Sequence, residues 1–239
     1  MKEKKLVLDK MYWYGQLADW TPRLKPIIKT PYMVKLINFL LQEYEKEEVH
    51  PTFNKIFRAF DLSSFEKLRV VILGLEPSTL TAAGGPIANG VAYSNDIDSP
   101  NPFGGPIDKI SVCVEQKLYK GLNLDFNPNL KGWMNQGVLL LNVCPTAVKG
   151  KPMSHERPWK KFISYVFELI NKEHDGIIFC LWGKELEHYR DLIDEKKHIV
   201  LVNETSPRDA VKRGDNWQCD HFGQINKILL NNKQPKIKW

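Results

Sequence analysis

Four short runs of almost unbroken apolar residues constrain this chain more than any other feature: 70–74 (VVILG), 138–143 (VLLLNV), 176–182 (GIIFCLW) and 198–202 (HIVLV). A strand with one wet face alternates apolar and polar residues. These runs do not, so each is expected to be buried on both faces, as parallel strands covered by helices are. Between them lie stretches of helical character, chiefly 157–171, where Trp159, Phe162, Ile163, Val166, Phe167 and Ile170 recur at helical spacing, and 184–193. A last helix is expected over about 220–231. This alternation predicts an α/β fold of three layers, a four-stranded parallel twisted sheet flanked by helices and doubly wound.

Upstream, the first thirty or so residues mix Tyr12, Trp13, Tyr14 and Trp20 with Pro22, Pro26 and Pro31, which suits an arm packed across a domain better than a helix. Over 33–48, Val34, Ile37, Leu40, Leu41 and Tyr44 recur every three or four positions, with Leu36 and Phe39 widening the apolar face, so a helix is expected. Residues 52–60 should continue in short helical or irregular form. With no internal repeat, low-complexity tract or linker, 1–239 reads as one domain, 1–50 being its N-terminal arm and helix.

No apolar run approaches the roughly 20 residues that span a bilayer, and the N-terminal Met-Lys-Glu-Lys-Lys has no apolar signal core behind it, so a cytoplasmic protein without a membrane partner is expected. Cys113, Cys144, Cys180 and Cys219 are scattered without a Cys-x-x-Cys pair, which argues against a zinc ribbon, an iron–sulfur cluster or a disulfide framework; buried thiols, no metal and no cofactor are expected. The zinc-deaminase signature, His-x-Glu with Pro-Cys-x-x-Cys, is also absent from the sequence. A net charge of +6 leans toward a polyanionic partner.

Parallel strands bring their carboxyl ends to one edge, and ligands of open α/β sheets bind in the crevice outside it. That edge gathers Glu76, Asn142, Gly183-Lys184 and the segment 203–207 (NETSP). The loop after Glu76 adds Gly84-Gly85-Pro86 and Ala92-Tyr93-Ser94. Taken singly, Glu76 reads equally well as a solvated loop acid, while an Asn at a strand end is more often a turn or capping residue and a Tyr such as Tyr93 more often core than a stacking platform.

The order of these segments carries a resemblance. VVILG-x-[acid]-P is followed by a Gly-rich loop with an aromatic-Ser, by KGWMNQGVLLLN (131–142), by Ser154-His155 with a Trp and a Phe in the next helix, by FCLWG, by Ser206-Pro207, by CDHF and by a terminal Trp. From about Phe57 to Trp239 the chain closely resembles the family 1 uracil-DNA glycosylases. The resemblance implies a monofunctional DNA glycosylase, expected to act as a monomer, that flips a nucleotide into a pocket and hydrolyses its N-glycosidic bond without a metal.

By the same resemblance, Glu76 takes the place of the family's aspartate, which serves the positive charge developing on the sugar and orients the attacking water. Tyr93 matches the aromatic on which the flipped pyrimidine stacks, and Asn142 the amide that reads its Watson–Crick edge. The family's Gln-Asp-Pro-Tyr-His becomes Leu75-Glu76-Pro77-Ser78-Thr79. In the family that tyrosine lies against C5 of the base and shuts out a methyl group, so Ser78 opens space there. The catalytic histidine that stabilises the departing base falls on Glu204, a carboxylate expected to be protonated, turned away or used for another contact. His155 is a candidate substitute. The phosphate-pinching serine loops become Gly105-Pro106-Ile107, Gly183-Lys184 and Thr205-Ser206-Pro207, leaving Ser206 and Lys184 as DNA contacts. The leucine that fills the vacated stack becomes Arg208, whose planar guanidinium can also stack.

The reading these residues support is excision of a pyrimidine with a C5 substituent, such as thymine or a hydroxymethylated or glucosylated phage base, with a role in phage defence. A drifted uracil-DNA glycosylase of base excision repair, and a non-catalytic DNA- or partner-binding protein on the same scaffold, are the alternatives.

Overall fold

The computed structural model describes residues 17–82, 85–96, 98, 101, 103–121 and 126–239. Tyr12, Trp13, Tyr14 and Gly84 lie outside the described residues. The four apolar runs form one parallel sheet: β1 (Val70–Gly74), β2 (Val138–Asn142), β3 (Ile178–Trp182) and β4 (Ile199–Asn203), in the order β2-β1-β3-β4. β1 pairs with β2 from Val70↔Val138 to Gly74↔Asn142, and β3 with β4 from Ile178↔Ile199 to Trp182↔Asn203.

Alternate residues of each strand feed two cores, as the pleat requires. Val71, Leu73, Leu139, Leu141, Phe179 and Leu181 face α1 (Thr21–Ile28), α2 (Pro31–Lys46) and α4 (Glu156–Glu173), where Trp159, Phe162 and Val166 meet them. Val70, Ile72, Val138, Leu140, Ile178 and Cys180 face α3 (Pro106–Leu118) and α6 (His221–Asn231), with Trp133, Trp217, Phe222 and Trp239 filling the space. The expected three-layer α/β architecture is therefore observed, and all four cysteines are buried and free.

Three expectations are corrected. Residues 18–28 are helical rather than an arm: a 3₁₀ turn at Ala18–Trp20 runs into α1. Pro22 occupies the first turn of α1, where its missing N–H costs nothing, and burial holds the rest. The indole of Trp20 donates to Ser63 O at 2.7 Å, while Asp19 accepts from Ser64 Oγ and the N–H groups of Phe65 and Glu66. Next, β4 is half-exposed rather than buried on both faces, with Val202 36% exposed: it is an edge strand, and unlike the other edge, β2, which packs against the helices Arg58–Leu62 and Lys131–Met134, it is left partly uncovered. Finally, Val34 lies on the outer side of α2, 47% exposed; Met33, Leu36, Ile37 and Leu40 form the buried stripe. Residues 184–193 are realised as a 3₁₀ helix, Lys184–Leu192. Among the described residues no helix is long and apolar enough to cross a membrane.

Candidate active site

The carboxyl end of the sheet opens into a cavity of about 370 Å³. Its floor is set by strand register. Gly74 faces Asn142 across the β1–β2 ladder, and a Cβ at Gly74 would collide with Asn142 Oδ1 and come within 2.9 Å of Ala92 Cβ. The glycine thus makes room for the amide. Beyond the sheet the two strands stay together, since Val143 N–H donates to Gly74 O at 2.9 Å and Cys144 N–H to Leu75 O at 2.8 Å. The 8%-exposed Asn142 has no side-chain hydrogen bond among the described residues, so its amide faces the cavity with its donors and acceptor unspent.

Tyr93 sits at φ 63°, a left-handed conformation that a bulky residue adopts only when its surroundings enforce it. Its hydroxyl donates to Leu73 O at 3.0 Å, and its ring lies 5.3 Å from that of Trp182, inclined at 45°. Burial pushes the phenol pKa up, so the ring stays neutral. A buried polar network fixes this loop. Asn89 Nδ2 donates to Ser94 Oγ and Asp96 Oδ1, Ser94 Oγ donates to Asn129 O, and Lys55 and Arg58 both pair with Asp96. Burial alone would raise the Asp96 pKa, but the two cations hold it below the ordinary carboxylate value.

Glu76 projects into the cavity from the loop after β1. Its side chain is only 2% exposed; Oε2 accepts the Met153 N–H at 2.5 Å and Oε1 accepts from Arg208 Nη2 at 2.9 Å. A buried carboxylate is tolerable only with such partners. Pro77, Ser78 and Thr79 continue the wall to Leu80, which is 59% exposed at the rim. Ser78 Oγ accepts the Leu80 N–H at 3.3 Å and Ser78 O is bound by His50 Nδ1 at 3.0 Å, so the loop is held both within itself and from the segment before the sheet. The far wall comprises Ile87, Asn101, Gly104, Gly105, Pro106 and Ile107.

Ser206 and Arg208 enter from α5 (Pro207–Arg213). Ser206 caps that helix in a capping box with Asp209: Asp209 N–H donates to Ser206 Oγ at 3.1 Å, and Ser206 N–H and Oγ–H donate to Asp209 Oδ2 at 2.9 and 2.7 Å. Burial opposes ionisation of Asp209, yet those hydrogen bonds, with Lys212 and Arg213 nearby, keep its pKa low.

The cavity therefore brings together Leu75, Glu76, Ser78, Tyr93, Asn142, Ser206 and Arg208. It does not gather Glu204, Lys184 or His155. Glu204 is exposed and outside the wall, because Asn203 Oδ1 accepts from Thr205 N and Oγ1 and Trp217 Nε1–H donates to Thr205 O, turning the intervening residue outward. Lys184 is exposed at the start of its 3₁₀ helix. His155 is 1% exposed and spends both ring nitrogens in the protein. Burial lowers its pKa despite Glu43, so the ring is neutral; Nε2–H faces Glu43 at 3.3 Å, and Nδ1 accepts the hydroxyl of Thr146 at 2.8 Å while Trp159 Nε1–H donates to that same oxygen. It braces the 146–155 loop whose Met153 N–H grips Glu76.

Sequence reasoning missed Trp182, the residue behind Tyr93, although it closes an apolar run. It also missed the Met153 N–H, which a backbone group cannot announce by side-chain type. Among the described residues no group of His, Cys, Asp and Glu is placed to hold a metal.

The carboxyl edge of this parallel sheet thus carries a buried acid, an aromatic ring and an unspent amide. Comparison with known proteins gives the family. Residues 60–230 match the uracil DNA glycosylase superfamily. The uracil-DNA glycosylase of Flavobacterium johnsoniae is 32% identical over 93% of this chain and 97% of its own, and that of Oceanobacillus iheyensis is 34% identical over 92% and 93%. The fold superposes on the crystal structure of mimivirus uracil-DNA glycosylase with a TM-score of 0.79 over 98% of this chain and 88% of that one, at 22% identity. The chain belongs to the uracil DNA glycosylase superfamily and is a monofunctional DNA glycosylase.

Proposed function

We propose that this glycosylase excises a flipped-out pyrimidine bearing a C5 substituent, leaving an abasic site, and that its biological role is attack on phage DNA carrying hydroxymethylated or glucosylated bases. The observation that carries this reading is the continuity of the cavity past Ser78. A volume of about 370 Å³ lies in the ~300–1,000 Å³ range of pockets that hold drug-sized ligands, more than a bare pyrimidine occupies. The space runs from Asn142 and Tyr93, past the loop in which the family places its C5-blocking tyrosine, to Ile87, Asn101 and Gly104.

In this reading Tyr93 supports the base, the Asn142 amide reads its edge, Leu75 packs beside it, and Glu76 stabilises the cationic sugar and orients the water that attacks C1′. Asn142 selects a pyrimidine more securely than uracil in particular, since an amide pairs with O4 and N3–H or, turned over, with N4–H₂ and N3. Lys184 adds charge for a phosphate at the margin of the cavity, whereas the Ser206 hydroxyl, expected from the resemblance to make such a contact, is spent on Asp209 in its capping box.

A second reading, excision of uracil itself, is favoured by the names of the relatives. Oligonucleotides carrying one uracil, thymine, 5-hydroxymethyluracil, 5-hydroxymethylcytosine or glucosylated 5-hydroxymethylcytosine, single-stranded and duplex, separate the two. Abasic sites at one or more C5-substituted bases are expected; cleavage at uracil alone supports the second reading and removes the first.

A further inference from the structure

We propose that Arg208 is a catalytic residue, the cation that receives the negative charge of the departing base, rather than a wedge that fills the vacated stack. The inference concerns the glycosylase reaction itself and does not depend on which base is removed.

Breaking the C1′–N1 bond sends its electron pair onto N1 and, by delocalisation, onto the ring carbonyl oxygen, while positive charge grows at C1′. Water then forms the new C1′–O bond, its proton passes to the carboxylate of Glu76, and the base leaves as an anion that is protonated from solvent. Something cationic or strongly hydrogen-bonding must meet that anion. The position where the family keeps a histidine for this purpose holds Glu204, which is exposed and outside the cavity wall. No histidine of the described residues lines the cavity.

Two cations do, Arg208 and Lys212. Lys212 is exposed, whereas Arg208, its side chain 40% exposed at the cavity mouth, reaches in to place Nη2 2.9 Å from the 2%-exposed carboxylate of Glu76. A residue serving only as a wedge has no reason to be drawn onto the buried acid. Of the five guanidinium N–H donors, the structure assigns one to Glu76 and gives the others no partner among the described residues. Tyr93 lines the same cavity. The ion pair is therefore polarised to suit the reaction: anion toward the sugar that becomes positive, cation toward the base that becomes negative. An arginine performs this without proton transfer, since it stays charged throughout.

The experiment measures single-turnover excision by wild type, Arg208→Leu, Arg208→Gln and Arg208→Lys under enzyme excess. The substrates are single-stranded and duplex oligonucleotides bearing uracil or its better leaving group 5-fluorouracil, and 5-hydroxymethyluracil or its better leaving group 5-formyluracil. Thermal melting establishes that the variants are folded. Arg208→Leu and Arg208→Gln are expected to lose about 10²-fold or more in rate, as for removal of one oxyanion donor, on single strands and duplex alike. The loss should be smaller for the better leaving group of each pair, and Arg208→Lys should recover part of the rate. A loss confined to duplex, where alone there is a stack to fill, identifies a wedge and overturns the proposal. So does an equal loss for good and poor leaving groups. A wild type active only on the uracil pair overturns the C5-substituent reading and leaves the Arg208 result standing; a wild type inert on every base overturns both.

Discussion

The floor of the cavity and its rim are built by different means. The floor, Gly74, Tyr93 and Asn142, is fixed by strand pairing and by a buried network reaching from Asn89 to Lys55 and Arg58. The rim, Glu76 to Leu80 and Ser206 to Arg208, consists of loop and helix-start residues that meet across the cavity mouth through the Arg208–Glu76 pair. At the register-locked floor a larger side chain at Gly74 must displace Asn142 or Ala92, whereas rim residues stand on loops with fewer such limits. Among the departures from the resembled pattern, Glu76, Ser78, Thr79 and Arg208 lie on the rim and Glu204 just beyond it, while Leu75 joins rim to floor.

Breaking the rim at its acid should have the largest effect. Glu76→Gln is expected to lower single-turnover excision by about 10³-fold, within the range for a positioned acid–base group, while fluorescence anisotropy shows DNA binding retained. Gly74→Ala attacks the floor instead. Its Cβ must displace Asn142 or Ala92, so a loss of ~1–3 kcal/mol in denaturant unfolding is expected, together with weakened excision of every base, because overpacking a close-packed site forces its neighbours to shift. If stability is unchanged, the floor is softer than the register implies.

Ser78→Tyr sharpens the contrast by altering the rim alone. Excision of 5-hydroxymethyluracil relative to uracil should fall by roughly 10–200-fold, the discrimination available to a pocket that gains or loses a small group, with the melting temperature little changed.

The smallest effect leaves both regions alone. His198 lies just before β4, away from the carboxyl edge, 4% exposed, with neither ring nitrogen bonded, and burial lowers its pKa below 6.5. The unfolded chain then takes up its proton first, so the stability held near neutral pH is lost as pH falls from about 6.5 toward the lower folded value. Burial likewise depresses His155, His174 and His221, so denaturant melts between pH 7.5 and 5.5 should show declining stability. His198→Phe should flatten that slope while leaving excision at pH 7.5 unaltered; an unchanged slope removes His198 as a contributor.

The sheet was legible because burial on both faces leaves a strong mark: β1, β2 and β3 are wholly apolar until their last residues, and those residues fall at the carboxyl edge. β4 misled only in its burial, since how an edge strand is covered depends on what packs against it, which no single run encodes. The helical start at residues 18–28 was hidden because Pro22 and Pro26 argue locally against a helix, while Trp20 packed on Phe60 and Phe65 argues for it from forty or more residues away.

The same division holds for chemistry. By itself the sequence determined which side chains stand at the strand ends, Glu76 after β1 and Asn142 at the end of β2, because chain direction and strand boundaries are local properties. Only the tertiary structure decided what those side chains meet. The Met153 N–H and the Arg208 guanidinium reach Glu76 from 77 and 132 residues away, while Glu204 and His155, both plausible from their positions in the chain, are directed to solvent and into a neutral buried relay. Contacts between loops are set by how the whole chain packs, and the hydrogen bonds that hold a buried carboxylate in place come from wherever the fold happens to supply a donor.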